Sequence, residues 1–179
     1  MILKGQNEAL KDYGKRLPRR EQAAVGAEAG WNSWYQLWDS VDEEAVRVNA
    51  DLAQAELYAR VPTDAPPLRI VIDDGWQKEW GDWQPNEKFS GDLTPLVQSL
   101  KSDGFEVGLW LAPLLVKGDH SLVEEHPDWF LPSAEFFHLE HGVMRILDVT
   151  HPSVASHLQA FIQQVVSWGF DLLKIDFLF

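Results

Sequence analysis

Two junctions in the chain repeat one pattern. Asp103-Gly-Phe-Glu-Val-Gly-Leu-Trp110 and Trp168-Gly-Phe-Asp-Leu-Leu-Lys174 each place a glycine where a helix has to end, then a phenylalanine, then an apolar run of strand length. A helix that hands the chain to a nearly all-apolar strand, twice over, restricts the fold to alternating units. Strands buried on both faces pair in parallel, and right-handed helical crossovers join them.

The rest of the chain reads in the same terms. Residues 27–34 form a weak first strand. A helix follows over residues 43–60, capped by Ser40 or Asp42, with acidic residues in its first turn. Ala45, Val48, Leu52, Ala55 and Ala59 follow helical spacing and mark its apolar side. Pro62, Pro66 and Pro67 break the chain, and residues 68–75 make a second strand that ends on two aspartates and a glycine. Residues 76–92 read as a tryptophan-rich loop, 93–101 as a short helix, and 107–113 as a third strand. A long excursion occupies 114–150, with a short helix near 121–126 and irregular or hairpin structure beyond it. His151-Pro152 opens an amphipathic helix whose buried side carries Val154, Leu158, Phe161, Ile162 and Val165. Residues 172–179 then form a buried final strand. Residues 1–25, polar and carrying Lys15-Arg16-Leu-Pro-Arg19-Arg20, read as a short helix and linker.

An open doubly wound sheet and a (βα)8 barrel both fit this order. The barrel is favoured because chemically competent residues gather at the C-terminal end of every strand and not at one switch point. A full barrel takes eight strands and about 250 residues. The expectation is therefore an α/β chain holding the first four strand-helix units of a TIM-type barrel over residues 26–179.

Composition removes several classes of function. The net charge of -13 disfavours nucleic acid and anionic membrane as partners, both of which require a basic face. The chain has no cysteine, hence no disulfide framework, thiolate metal site or cysteine nucleophile. No apolar run reaches bilayer length and the first residues lack a signal-peptide core, so a cytoplasmic location is expected. Nine tryptophans suit either a large core or a stacking platform for sugar rings.

The strand ends carry Trp34 and Tyr35, then Asp73 and Asp74, then Trp110, then Lys174 and Asp176. In a barrel they converge on one mouth. Alternation along the last strand sets Lys174 and Asp176 on one face and Leu173, Ile175 and Phe177 on the other. Carboxylates and an ammonium bind sugar hydroxyls with charge-assisted hydrogen bonds, indoles stack on the ring, and a carboxylate in the floor can attack an anomeric carbon. Trp76, Trp80, Trp83 and Trp129 also fall in or beside loops at that mouth, whereas Trp168 reads as helix packing. Each element has a plainer reading. Lys174 and Asp176 fit a structural ion pair, Asp73-Asp74-Gly75 a turn, and Trp110 a core residue. His138-Leu-Glu-His141 reads as surface. The acidic spacing does not match a calcium loop, and there is no His-x-x-x-His, glycine-rich phosphate loop or Ser-His-Asp arrangement.

Seven motifs in order bring in a resemblance. They are Gly30-Trp-Asn-Ser-Trp-Tyr35, Ile72-Asp-Asp-Gly-Trp-Gln77, Gly81-Asp-Trp-Gln-Pro-Asn-Glu-Lys-Phe89, Gly108-Leu-Trp-Leu-Ala-Pro113, His126-Pro-Asp-Trp129, Leu147-Asp-Val-Thr-His-Pro152 and Trp168-Gly-Phe-Asp-Leu-Leu-Lys-Ile-Asp-Phe177. Together they resemble the melibiase-type α-galactosidases of glycoside hydrolase family 36. The resemblance implies a retaining α-galactosidase acting on α-galactoside oligosaccharides, with no metal or organic cofactor. It implies that Asp176 is the nucleophile, that Lys174, Asp73 and Asp74 bind the sugar, and that Trp110, Trp34 and Tyr35 line its pocket. The family's acid/base aspartate lies further along such chains, and its N-terminal β-rich domain is also missing here. The 179-residue chain alone is therefore expected to be inactive. Related readings are an α-N-acetylgalactosaminidase or a raffinose-oligosaccharide synthase type of transglycosylase. A non-catalytic carbohydrate-binding half barrel is the reading from another class; its exposed first and last strands would pair in a homo-oligomer.

Overall fold

Strands and helices alternate along the described residues. The computed structural model describes residues 29–62 and 65–178. The helix and linker expected over residues 1–25 lie outside them. The elements in order are β1 (Gly30–Asn32), α1 (Glu43–Glu56), β2 (Arg69–Ile72), β3 (Gln77–Glu79), β4 (Asp82–Pro85), α2 (Thr94–Ser102), β5 (Glu106–Leu111), β6 (Leu115–Lys117), β7 (Phe130–His138), β8 (Gly142–Leu147), α3 (Pro152–Ser167) and β9 (Leu172–Ile175). Short helical turns at Trp34–Leu37 and Ser121–Glu125 and three 3-10 turns complete them.

The main sheet runs β1-β2-β5-β9, with every neighbouring pair parallel. Each strand lies beside the next of the set, and a helix makes each crossover. This is the arrangement of successive units in a TIM-type barrel, here as an open sheet. Register aligns Val71 with Gly108 and Trp110 with Lys174, so the strand ends come level. The Asp176 N–H donates to the Leu111 carbonyl at 2.8 Å and carries the pairing one residue past β9.

The core lies between this sheet and its helices. Leu68, Ile70, Ile72, Val107, Leu109 and Leu111 are fully buried, and Leu96, Val97, Leu100 and Val165 pack on them from the helices. Asp42 is the N-cap of α1, its Oδ1 accepting the Ala45 N–H at 2.7 Å. The apolar side assigned to α1 is corrected. Its buried residues are Val46, Ala50 and Ala53, while Val48 and Leu52 are 50% and 55% exposed. Two apolar stripes interleave on this helix, and small alanines allow the inner one to lie close to the sheet. The last strand is likewise less buried than expected. With only β5 beside it, β9 keeps its residues half-buried and leaves Ile175 43% exposed.

The two excursions hold more order than expected. The tryptophan-rich segment contains the antiparallel hairpin β3–β4, and residues 115–147 form a three-stranded antiparallel sheet in the order β6-β8-β7. Among the described residues no helix is long and apolar enough to cross a membrane.

Candidate active site

At the C-terminal edge of the main sheet, backbone geometry sets Asp73 and Asp74 first. The Asp73 N–H donates to the Ser33 hydroxyl at 2.9 Å, and Ser33, just past β1, is fully buried. The turn that follows needs Gly75. Its φ is +109°, and a Cβ there would lie 2.6 Å from the Asp39 Cα. Gly75→Ala therefore combines backbone strain with a clash, and should destabilise the protein by about 1–3 kcal/mol in a denaturant melt. The Asn86 side chain donates to the Gly75 and Gln77 carbonyls at 2.8 and 3.0 Å, tying the β3–β4 hairpin to this turn.

Both aspartates are almost completely buried. Asp73 Oδ2 accepts from Lys174 Nζ at 2.7 Å and from Asn32 Nδ2 at 2.8 Å; its Oδ1 accepts the Asp74 N–H at 3.0 Å. A buried carboxylate so paired escapes the cost of isolated burial. The partner of Lys174 is thus Asp73, two strands away, and not Asp176 on its own strand. Asp74 Oδ1 accepts from Gln77 Nε2 at 2.5 Å. Burial raises the Asp74 carboxyl above its ordinary value, while Gln77 and nearby His141 pull it down.

Asp176 is held differently. Its Oδ2 accepts the Trp110 indole N–H at 3.2 Å and its Oδ1 accepts the Phe177 N–H at 2.9 Å. Trp110 is a core residue, 2% exposed, whose polar edge is spent on this carboxylate. Trp110 is itself fixed from behind, since Trp76 Nε1 donates to its carbonyl at 2.9 Å.

A cavity of about 190 Å³ gathers these groups: Asp73, Asp74, Trp34, Trp110, Lys174 and Asp176 all line it. Tyr35 does not. It is 90% exposed, because the helical turn at Trp34–Leu37 sends consecutive side chains in different directions. Trp129 also lies elsewhere, stacked on His126 with 4.2 Å between ring centroids. Trp83 and Trp76 are core residues, and Trp168 meets Trp76 edge-on.

Three further residues line the cavity. Phe177 was placed on the opposite face from Lys174, but β9 ends at Ile175 and Phe177 takes φ +53°, which turns its ring onto Trp80 at 5.4 Å. Trp80 is buried, and among the described residues its indole N–H has no hydrogen-bond partner. His138, read as surface, is half-buried and sits 5.1 Å from the Trp80 ring. Burial, and His141 beside it, lower the His138 imidazole. His138, Glu140 and His141 bring donor atoms within 4.8 Å of one another. His138 Nδ1 accepts the Glu140 N–H at 3.3 Å, and His141 Nε2 faces Asp74.

Known proteins share this fold. A Thermus thermophilus α-galactosidase solved with stachyose superposes with a TM-score of 0.77 at 30% identity, over 92% of this chain and 35% of that one. An Emericella nidulans α-galactosidase C is 25% identical over 174 residues, 87% of this chain and 22% of its own length. An Escherichia coli α-galactosidase is 39% identical over 117 residues, 60% of this chain and 16% of its own. The chain thus spans about a third or less of these relatives. The family model described as Melibiase matches residues 43–177, from the start of α1 to the cavity-lining Phe177. On that match, the chain belongs to the melibiase family.

Proposed function

We propose that the cavity is the galactosyl site of a retaining α-galactosidase, acting on terminal α-galactosyl groups of oligosaccharides. The observation that carries this reading is the division of labour among the carboxylates. Asp73 and Asp74 are buried and held by side-chain partners, which suits them to fix hydroxyls, whereas Asp176 stands at a strand end with one indole donor. Asp176 is the nucleophile. Its carboxylate oxygen bonds to the anomeric carbon as the glycosidic carbon–oxygen bond breaks, leaving a glycosyl ester that water then opens. Lys174 and Asp73 hold ring hydroxyls, and the free N–H of Trp80 donates to another. The Trp110 indole face supports the ring itself.

The departing oxygen requires a proton from a second carboxyl group about 5–5.5 Å from the nucleophile. With Asp73 and Asp74 assigned to hydroxyls, that acid comes from outside the described residues. The 179-residue chain should then bind galactose weakly and turn over nothing. Calorimetric titration tests the first part. Galactose should bind better than glucose, and Asp73→Asn should weaken it about tenfold, the loss of one charge-assisted hydrogen bond. Equal binding of both sugars, or none, contradicts the site. Sustained turnover of an aryl α-galactoside by the pure chain contradicts the missing acid.

A further inference from the structure

The two adjacent aspartates are treated alike on one side and unequally on the other. Asp73 has its own nitrogen donors, Lys174 and Asn32. Asp74 has the Gln77 amide on Oδ1, while 3.7 Å from its Oδ2 stands Nε2 of His141, a buried nitrogen with no hydrogen-bond partner among the described residues. An unsatisfied buried ring nitrogen is a costly vacancy unless an acceptor serves it, and the Asp74 carboxylate oxygen is the acceptor beside it. His141 sits in the β7–β8 turn, more than sixty residues from Asp74 in sequence, and its ring lies 5.2 Å from Trp80 and 4.7 Å from His138. That stack holds the imidazole against the wall of the sugar cavity.

We propose that His141 is a positioning residue for Asp74: its Nε2–H closes on Oδ2 and holds the carboxylate in place to receive a sugar hydroxyl. The hairpin that carries it is thereby a recognition element, one that completes the aspartate pair. The proposal rests on the galactoside reading only for the identity of the sugar.

Other charges bear on Asp74 and have to be counted. Asp73 is next to it and disfavours its ionisation. Lys174 and Asp176 follow from β9, and His138 and Glu140 share the hairpin with His141. Asp39, Lys78, Glu79, Lys88 and Lys117 line an adjoining cavity that has Asp74 and His141 in its wall. Lys88 is bonded to the Asp39 carbonyl, Lys78 lies 3.8 Å from Asp82, and Lys117 lies 3.8 Å from Glu79 and 3.3 Å from Asp119. Among the described residues, His141 is the nitrogen donor directed at Oδ2.

The test is the Asp74 carboxyl titration, followed by carbon NMR on the 179-residue chain without sugar, together with galactose affinity. His141→Ala should move the Asp74 midpoint upward and weaken galactose about tenfold. His141→Gln, which keeps an N–H donor, should recover most of the affinity. Both substitutions remove the ring from its stack on Trp80 and His138, so a denaturant melt of each variant reports the packing loss separately from the titration. An Asp74 titration unchanged in His141→Ala overturns the proposal. If the wild-type chain binds no galactose, the galactoside reading fails, and the sugar-free titration by itself still upholds or overturns the role of His141.

Discussion

Asp176→Asn, in a barrel completed by four further strand-helix units, is expected to lose turnover of an aryl α-galactoside by a factor on the order of 10⁴ or more. The substitution keeps size and shape, so the Trp110 indole still finds an oxygen acceptor and the neighbouring cavity wall is undisturbed. What it removes is the negative charge that attacks the anomeric carbon. Sugar binding should change little, because the proposed hydroxyl ligands Asp73, Asp74 and Lys174 line the same cavity and are left intact. Kinetics with galactose as a competing ligand separate the two: kcat collapses while the inhibition constant stays within a few-fold. Near-normal turnover by the variant would reject Asp176 as nucleophile.

Trp76→Ala should be the most damaging substitution for the fold. Trp76 is fully buried, donates its N–H to the Trp110 carbonyl, and packs edge-on against Trp168. Truncation of such a side chain costs about 3–5 kcal/mol through lost burial and the cavity left behind. A domain has about 5–15 kcal/mol in all, so the variant should melt at markedly lower denaturant or fail to fold. Tyr35→Ala provides the contrast. At 90% exposure it should stay within about 0.5 kcal/mol of the parent and leave galactose affinity unchanged. A loss of sugar binding on removing Tyr35 would return that residue to the pocket.

The sign of the pH dependence follows from Asp74. Burial raises its folded-state titration above that of the unfolded chain, so between the two the folded protein binds more protons. As pH rises through that window, Asp74 should therefore reduce stability, and Asp74→Asn should flatten the corresponding part of a stability-versus-pH curve. In the proposed site the ionised Asp74 receives a sugar hydroxyl, so galactose affinity should rise over the same window. The two curves are expected to run in opposite directions.

Much of this was legible in the chain itself, and for identifiable reasons. The four parallel strands and the three crossover helices announce themselves through apolar runs, glycine stops and helical periodicity, which are local signals. Asp73, Asp74, Trp110, Lys174 and Asp176 could be brought together because strand ends converge in a parallel sheet whatever the loops do. Local signals misled where two answers were both periodic. On α1 the stripe through Val48 and Leu52 is more hydrophobic than Val46, Ala50 and Ala53, yet the alanines face the sheet. Closeness of approach decided, and that is a property of the pair of surfaces. Phe177 escaped because one left-handed residue breaks the alternation that a strand would impose. His138 and His141 reach the site only by the long β7–β8 excursion, with nothing near them in sequence to mark their destination. Lys174 was expected beside Asp176, but a strand separates residues of one face by two positions, and the Asp73 carboxylate across the sheet lies closer to its ammonium.

Trapping the covalent intermediate tests Asp176 most directly. A 2-deoxy-2,2-difluoro-α-galactoside with a highly activated leaving group forms the glycosyl ester and slows its hydrolysis, and peptide mass spectrometry then reports which residue carries the sugar. With the completed enzyme, one difluorogalactosyl group is expected, attached to Asp176 in the peptide that contains Lys174 and Phe177. A label on Asp73 or Asp74, or rapid turnover with no labelled peptide at all, would contradict it.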